Sequence, residues 1–125
     1  MTSVPEVPIV LSAVDDMFFS SKIESVARLV GVKVVHALDA RQLEECLMGA
    51  APRMIILDLN SKACAPLEAI RRIKADTRFS QTPIVGFLSH VQHELERRAS
   101  EAGCDQVMPR SSFSADLPRI LQSIR

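Results

Sequence analysis

The sequence predicts a single α/β domain in which five parallel strands alternate with five helices. Short apolar runs rich in β-branched residues recur along the chain, and each is followed by a segment whose apolar residues share one face of a helix. Strands separated by helices pair in parallel through right-handed crossovers, and the helices then cover both faces of the sheet. The length of 125 residues suits one compact domain, 1–125.

The five predicted strands span residues 9–14, 32–35, 54–57, 84–88 and 106–108. Their near-continuous apolar character is typical of strands that are buried on both faces. We expect a doubly wound sheet in the order 2-1-3-4-5, with two helices on one face and three on the other. The core is expected to include Ile55, Ile56, Leu57, Ile70, Ile84 and Val85.

The helices are predicted from their caps and from their inward-facing stripes. Asp39 with Gln42, and Ser89 with Gln92, have the spacing of a capping box at the start of the second and fourth helices. The third helix begins near Pro66. Gly31 is the expected C-terminal cap of the first helix, and Gly49 and Gly103 are expected to end the second and fourth helices. The last helix carries an inward stripe of Leu117, Ile120, Leu121 and Ile124.

Composition excludes several classes of protein. Fifteen basic residues balance fifteen acidic ones, which argues against a chain built to wrap nucleic acid. No apolar run is long enough to span a bilayer, and no secretory signal is evident at the start. Three cysteines without metal-ligand spacing suggest free thiols, of which the loop residue Cys64 is expected to be the most reactive. We therefore expect a cytoplasmic domain that frays only at residues 1–8, where two prolines occur.

Three carboxylates are expected to meet at the carboxyl edge of the sheet. Asp15 and Asp16 follow the first strand and Asp58 follows the third, and these strands are neighbours in the predicted order. Ligands of open α/β sheets bind at this edge. Carboxylates that lie close together favour a hard cation such as Mg²⁺. Asp15 or Asp16 alone could simply cap the first helix, but their coincidence with Asp58 favours an acidic crevice.

Several segments, in this order, resemble the receiver domain of bacterial response regulators. They are V-D-D at 14–16, I-I-L-D-L-N at 55–60, L-E-A-I-R-R-I-K at 67–74, T-P-I-V at 82–85 and E-A-G-C-D at 101–105. The resemblance covers almost the whole chain and implies a flavodoxin-like (βα)5 fold. It also implies that Asp58 accepts a phosphoryl group from a histidine kinase. The implied Mg²⁺ ligands are Asp15, Asp16, Asp58 and the backbone carbonyl of Asn60.

The sequence departs from receivers at the positions that transmit the signal. Receivers carry Thr or Ser at the end of the fourth strand, whereas here that position falls on Leu88, and Ser89 comes one residue late. Receivers carry Lys at the end of the fifth strand, and here Arg110 takes its place, followed by Ser111. Arginine keeps the charge but not the compact geometry of an ammonium group. These replacements indicate an atypical receiver or pseudo-receiver.

Other polar residues are expected to border the same crevice, namely Lys62, His90 and Ser111. Arg110 could pair with Asp58 or Asp16 and remove the need for a metal. With Lys62 also nearby, Mg²⁺ binding is expected to be weak. The adjacent Ser89 and His90 raise the alternative of nucleophilic catalysis, but no G-x-S-x-G elbow is present.

Three classes of function remain. The leading one is a stand-alone, non-enzymatic signalling module, a monomer or weak dimer that binds a protein partner such as a histidine kinase or a downstream effector. The second is a conventional phospho-acceptor in a phosphorelay, and the third is a small flavodoxin-like enzyme or ligand-binding domain. The expected partner face is built from the fourth helix, fifth strand and fifth helix. It carries Glu94, Arg97, Arg98, Gln106, Met108 and the loop 111–113.

Overall fold

A computed structural model describes residues 7–49 and 51–125. The prediction of fraying at residues 1–8 therefore falls largely outside the described residues. The strands are β1 (Ile9–Ala13), β2 (Lys33–Ala37), β3 (Met54–Asp58), β4 (Ile84–Leu88) and β5 (Gln106–Pro109). The helices are α1 (Met17–Val30), α2 (Ala40–Gly49), α3 (Pro66–Ala75), α4 (His93–Ala102) and α5 (Arg110–Gln122).

The strands form one parallel sheet in the order β2-β1-β3-β4-β5, which confirms the predicted fold class and topology. The third strand lies at the centre and ends at Asp58, beside β1 on one side and β4 on the other. The two edge strands are β2 and the four-residue β5. Among the described residues, no helix is long and apolar enough to cross a membrane.

Two separate cores lie on the two faces of the sheet. One face is covered by α1 and α5 and contains the stacked rings of Phe87 and Phe113, with the Phe19 ring tilted against them. The other face is covered by α2, α3 and α4, as shown by the buried Leu43, the α3 isoleucines and Ala99. The predicted core is confirmed, with exposures between 0% and 2% for Ile55, Ile56, Leu57, Ile70, Ile84 and Val85.

The predicted cap of the second helix is confirmed, whereas that of the fourth helix is wrong. Asp39 Oδ1 accepts a hydrogen bond from the Gln42 N–H at 2.8 Å, and the helix begins at the next residue. Ser89 lies four residues before the start of α4. Gln92 occupies the N-cap position of this helix, and its side chain makes no capping hydrogen bond. The backbone N–H of Ser89 is instead bound by Asn60 Oδ1 at 2.8 Å, which holds residue 89 against a different loop. His90 therefore lies in the β4–α4 loop rather than in the first turn of a helix.

Two further expectations are corrected. Residues 111–113 belong to the first turn of α5 rather than to a loop, and Phe113 is fully buried against Phe87. Cys64 is also fully buried, although it lies in a loop, so its thiol is not exposed for reaction. Burial raises the pKa of Cys64, and it raises the pKa of the buried Cys104 to about 11. Neither thiol has the depressed pKa of a reactive cysteine.

Gly86 in β4 allows a close approach between the sheet and the segment that follows Asp58. A Cβ at this position would lie 2.8 Å from Leu59 Cδ1 and 3.0 Å from Leu59 Cγ. Leu59 is itself buried, and its N–H donates to the Phe87 carbonyl at 3.0 Å. The absence of a side chain at residue 86 therefore lets Leu59 lie over the sheet directly after the site carboxylate.

Candidate functional site: a buried carboxylate and its arginine

Asp58 is the buried carboxylate at the carboxyl end of the central strand, with an exposure of 4%. Its Oδ1 accepts a hydrogen bond from the Asn60 N–H at 2.9 Å. Burial raises the pKa of Asp58, because the charged form loses hydration. The Asn60 N–H and Arg110 oppose this increase, whereas the negative charges of Asp15 and Asp16 add to it. The charges of Asp15 and Asp16 therefore act on Asp58, as expected if the three carboxylates share one edge of the sheet.

The acidic pair after β1 is held by two different contacts. Asp15 Oδ2 accepts a hydrogen bond from Ser61 Oγ at 3.0 Å. Asp16 is the N-cap of α1, and its Oδ1 accepts from the Phe19 N–H at 3.1 Å. Asp16 thus combines the two roles considered from the sequence, since it caps a helix and also faces the site.

Arg110 lies between two of these carboxylates. Its Nη2 is 3.7 Å from Asp58 Oδ2, and its Nη1 is 3.9 Å from Asp16 Oδ2. Both separations are those of ion pairs rather than of close hydrogen bonds. The predicted pairing of Arg110 with Asp58 or Asp16 is therefore present with both residues at once. Arg110 occupies this place because it is the first residue of α5, directly after the edge strand β5.

The side chain of Asn60 joins the two loops that border the site. Its Nδ2 donates to Gln92 Oε1 at 2.8 Å, and its Oδ1 accepts from the Ser89 N–H. The β3–α3 loop and the β4–α4 loop are therefore tied together above the carboxyl edge of the sheet. This link was not predicted from the sequence, which gave Asn60 a role only through its backbone carbonyl.

The remaining predicted site residues are less closely engaged. Leu88 is buried at the end of β4 and offers no hydroxyl there. Ser89, His90, Ser111 and Lys62 are exposed. In the described part of the chain, Lys62 makes no ion pair within 4.0 Å.

Ser89 and His90 do contact each other, with Ser89 Oγ 3.2 Å from His90 Nδ1. No carboxylate of the described residues accepts a hydrogen bond from His90 to orient its ring. Nucleophilic catalysis needs a base that is itself oriented by a third group. The pair therefore lacks the third member that the hydrolase alternative requires.

Sequence reasoning missed Ser61 and Phe87 as parts of this site. Ser61 is buried, and its Oγ both donates to Asp15 and accepts from the Cys64 N–H at 3.3 Å. The sequence signal that was available for Ser61 is its hydroxyl three residues after Asp58, the aspartate that ends the third strand. Phe87 is a strand residue with nothing local to mark it, and only the fold brings its ring to the guanidinium of Arg110.

An apolar cavity between α2 and α3 lies away from the carboxylates. This cavity has a volume of about 460 Å³, and its apolar lining residues include Leu43, Leu47 and Ile73. None of Asp15, Asp16, Asp58 or Arg110 lines this cavity. This cavity is therefore separate from the carboxylates at the edge of the sheet.

Solved structures with the same fold are response regulators. The chemotaxis response regulator CheY4 of Vibrio cholerae matches with a TM-score of 0.83 and 18% identity, over 96% of this chain and 100% of that chain. A putative response regulator from Chloroflexus aurantiacus matches with a TM-score of 0.84 and 17% identity, over 95% of this chain and 98% of that chain. The Mn²⁺-bound form of response regulator Rcp1 matches with a TM-score of 0.77 and 18% identity, over 94% and 91% of the two chains.

These likenesses extend over nearly the full length of each protein, so the chain has the flavodoxin-like fold of response-regulator receiver domains. No protein-family model matches the sequence, and no curated protein matches it. At identities of 17–18% the fold is retained while individual residues vary freely. The role of each site residue must therefore be argued from its own surroundings.

Proposed function

We propose that this chain is an atypical receiver domain of two-component signalling, which acts by binding a protein partner in the cytoplasm and carries Asp58 as its phospho-acceptor. One observation carries the proposal. Within a receiver fold, the carboxylate that ends the central strand is buried, is flanked by two further carboxylates and faces a guanidinium. A structural carboxylate has no need of two acidic neighbours, which only raise the cost of its charge.

The chemistry proposed for Asp58 is transfer of a phosphoryl group. One carboxylate oxygen attacks the phosphorus of a phosphohistidine or of an acyl phosphate, and an oxygen–phosphorus bond forms. The bond from phosphorus to the nitrogen or oxygen of the donor breaks, and the leaving group keeps the electron pair. Asp58 Oδ2 is the oxygen suited to this attack, because Oδ1 is engaged by the Asn60 N–H. Arg110, 3.7 Å from Oδ2, is positioned to balance the charge of the phosphoryl oxygens.

The atypical character is proposed from the residues around this acceptor. Leu88 has no hydroxyl with which to contact a phosphoryl group, and β5 carries no aromatic residue. A ligand shifts a conformational equilibrium only if it contacts the two states differently. We therefore expect partner binding to depend little on Asp58, so that the Asp58→Asn variant binds almost as tightly as the wild type.

A divalent cation is the further component that the fold suggests, since one neighbour is a Mn²⁺-bound response regulator. Carboxylate oxygens are the ligand type that Mg²⁺ prefers. As the described side chains stand, however, no group of three His, Cys, Asp or Glu residues is arranged to hold a metal ion. The residues present therefore supply suitable oxygens but not a formed metal site, and we propose weak Mg²⁺ binding.

The test of the acceptor is incubation with an acyl phosphate, with and without Mg²⁺, followed by intact-mass measurement. Slow and partial addition of one phosphoryl group to the wild-type protein is expected, because the residues that assist transfer are replaced. The Asp58→Asn variant should gain none. Asp116→Asn is a matched control, since Asp116 lies on α5 and pairs with the exposed Arg119.

Three results would count against this proposal. If the wild-type protein never gains a phosphoryl group, Asp58 is not an acceptor. If the Asp58→Asn variant still gains one, the acceptor is another residue. Rapid stoichiometric labelling would show that the site is a conventional receiver rather than an atypical one. The third outcome would leave the acceptor in place but contradict the proposed role of the replaced residues.

A further inference from the structure

Two aromatic rings form a seat beneath the Arg110 guanidinium. Its Cζ lies 5.0 Å from the centroid of the Phe19 ring and 5.6 Å from that of Phe87. A guanidinium within about 6 Å of an aromatic centroid is attracted by the ring quadrupole. The carboxylates of Asp16 and Asp58 lie beside its two terminal nitrogens. The cation is therefore held between aromatic rings and negative charges.

The seat itself belongs to the core. Phe19 lies 4.9 Å from Phe87 and 5.9 Å from Phe113, measured between ring centroids, and all three side chains are buried. Rings fixed in this way cannot follow the guanidinium if it moves outward. The Nε of Arg110 is buried and has no hydrogen-bond partner among the described residues. The guanidinium thus stays against the rings although its Nε–H has no hydrogen-bond partner there. This indicates that its contacts with the carboxylates and the rings outweigh the cost of that unpaired donor.

Asp16 and Asp58 each have one carboxylate oxygen in a hydrogen bond and the other facing Arg110. Asp16 Oδ1 caps α1 through the Phe19 N–H, and Asp58 Oδ1 accepts from the Asn60 N–H. The second oxygen of each residue, Oδ2, faces Arg110. Mg²⁺ requires ligand oxygens at about 2.0–2.1 Å and near-octahedral geometry, which a guanidinium between the same two oxygens prevents.

We infer that Arg110, seated on Phe19 and Phe87, is the resident cation of this site and that divalent cations compete with it for the Asp16 and Asp58 carboxylates. Arg110 is in this sense a positioning and charge-balancing residue. A divalent ion enters only when the guanidinium leaves its aromatic seat. The affinity for the metal is therefore lowered both by repulsion from Arg110 and by loss of the seat contacts. This inference concerns cation binding alone and does not depend on phosphorylation of Asp58.

The test is a titration of the full chain with Mn²⁺, in which the free hydrated ion is counted by electron paramagnetic resonance. Arg110→Gln removes the charge but leaves every carboxylate, and it should bind Mn²⁺ at least about tenfold more tightly than the wild type. Arg119→Gln is the matched control, because it removes the same charge from an exposed position of α5. Its Mn²⁺ affinity should stay within about twofold of the wild type, since charges apart from the site are screened.

A second variant separates the seat from the charge. Arg110→Lys keeps the positive charge but loses the planar group that stacks on the rings, so its Mn²⁺ affinity should fall between those of the wild type and Arg110→Gln. Far-ultraviolet circular dichroism checks that each variant is folded. The inference is overturned if Arg110→Gln binds Mn²⁺ no more tightly than the wild type. It is equally overturned if Arg119→Gln gains as much Mn²⁺ affinity over the wild type as Arg110→Gln does.

Discussion

Adding one methyl group at Gly86 should destabilise the protein measurably through Leu59. The new Cβ would lie 2.8 Å, 3.0 Å and 3.1 Å from three carbons of a buried leucine. The first distance is shorter than real Cβ contacts, and the other two are tighter than most of them. Overpacking of this kind costs about 1–3 kcal/mol. Alanine also lowers the entropy of the unfolded chain, which offsets about 0.4–1 kcal/mol. The steric cost is the larger effect, so the Gly86→Ala variant should lose about 1–2 kcal/mol.

Urea unfolding followed by far-ultraviolet circular dichroism measures this loss, since the chain contains no Trp or Tyr for fluorescence. With a urea dependence of about 2 kcal/mol per molar, the middle of the usual range, the midpoint should fall by about half to one molar. Gly49→Ala is the control, because an added Cβ there meets no atom of the described residues within 4 Å. Removing a helical glycine should instead stabilise the protein by about 0.5–1 kcal/mol.

A double-mutant cycle tests whether Leu59 is the cause. Leu59→Ala alone should cost about 2–5 kcal/mol, as other buried leucines do. In that background Gly86→Ala should cost nothing further, because the space that its methyl group needs has been vacated. The reasoning would be refuted if Gly86→Ala were as stable as the wild type, or if it caused the same loss with and without the leucine.

Two other predictions concern a thiol and the partner face. Burial raises the pKa of Cys104 to about 11, so a thiol-alkylating reagent at about pH 8 should modify this residue only after urea unfolds the chain. Mass spectrometry measures the modification, and modification of Cys104 in the folded protein would contradict the prediction. Arg97→Glu combined with Arg98→Glu should weaken the binding of a partner captured from the source cell by at least about tenfold, as measured by calorimetry. The same charge change at Arg71 and Arg72 on α3 is the control, and equal losses from both pairs would exclude a specific face.

The fold was predictable from the sequence because its signals are local and repeated. Each strand is an apolar run, and each helix has a periodic stripe, so strand number and helix number follow from counting. The order of the strands followed from the doubly wound fold class and agrees with the resemblance to receivers. Where the sequence analysis was wrong, as at Ser89, the competing contact came from Asn60, twenty-nine residues away. Capping spacing cannot reveal such a competitor.

The candidate site was only partly predictable, and the missing parts are those that depend on packing between distant segments. Asp58 and the acidic pair were marked by their places at strand ends. Arg110 was marked as a possible ion-pair partner of these carboxylates, which the geometry confirms. The contact between the Phe87 ring and Arg110 was not predicted, because it depends on the pairing of β4 with β5 and on a shared face of the core. Burial of Cys64 was missed for the same reason, since loop residues are expected to be exposed.

The short edge strand β5 restricts how other molecules can attach to this protein. An open strand edge presents unpaired backbone groups on which another chain can extend the sheet, which is a common route to aggregation. β5 has only four residues, and the last of them, Pro109, has no backbone N–H to donate. Extension of the sheet at this edge is therefore disfavoured. A partner that docks here must contact side chains on the flanking helices. Such a contact depends on the partner's own side chains, whereas backbone pairing at a strand edge accepts many sequences.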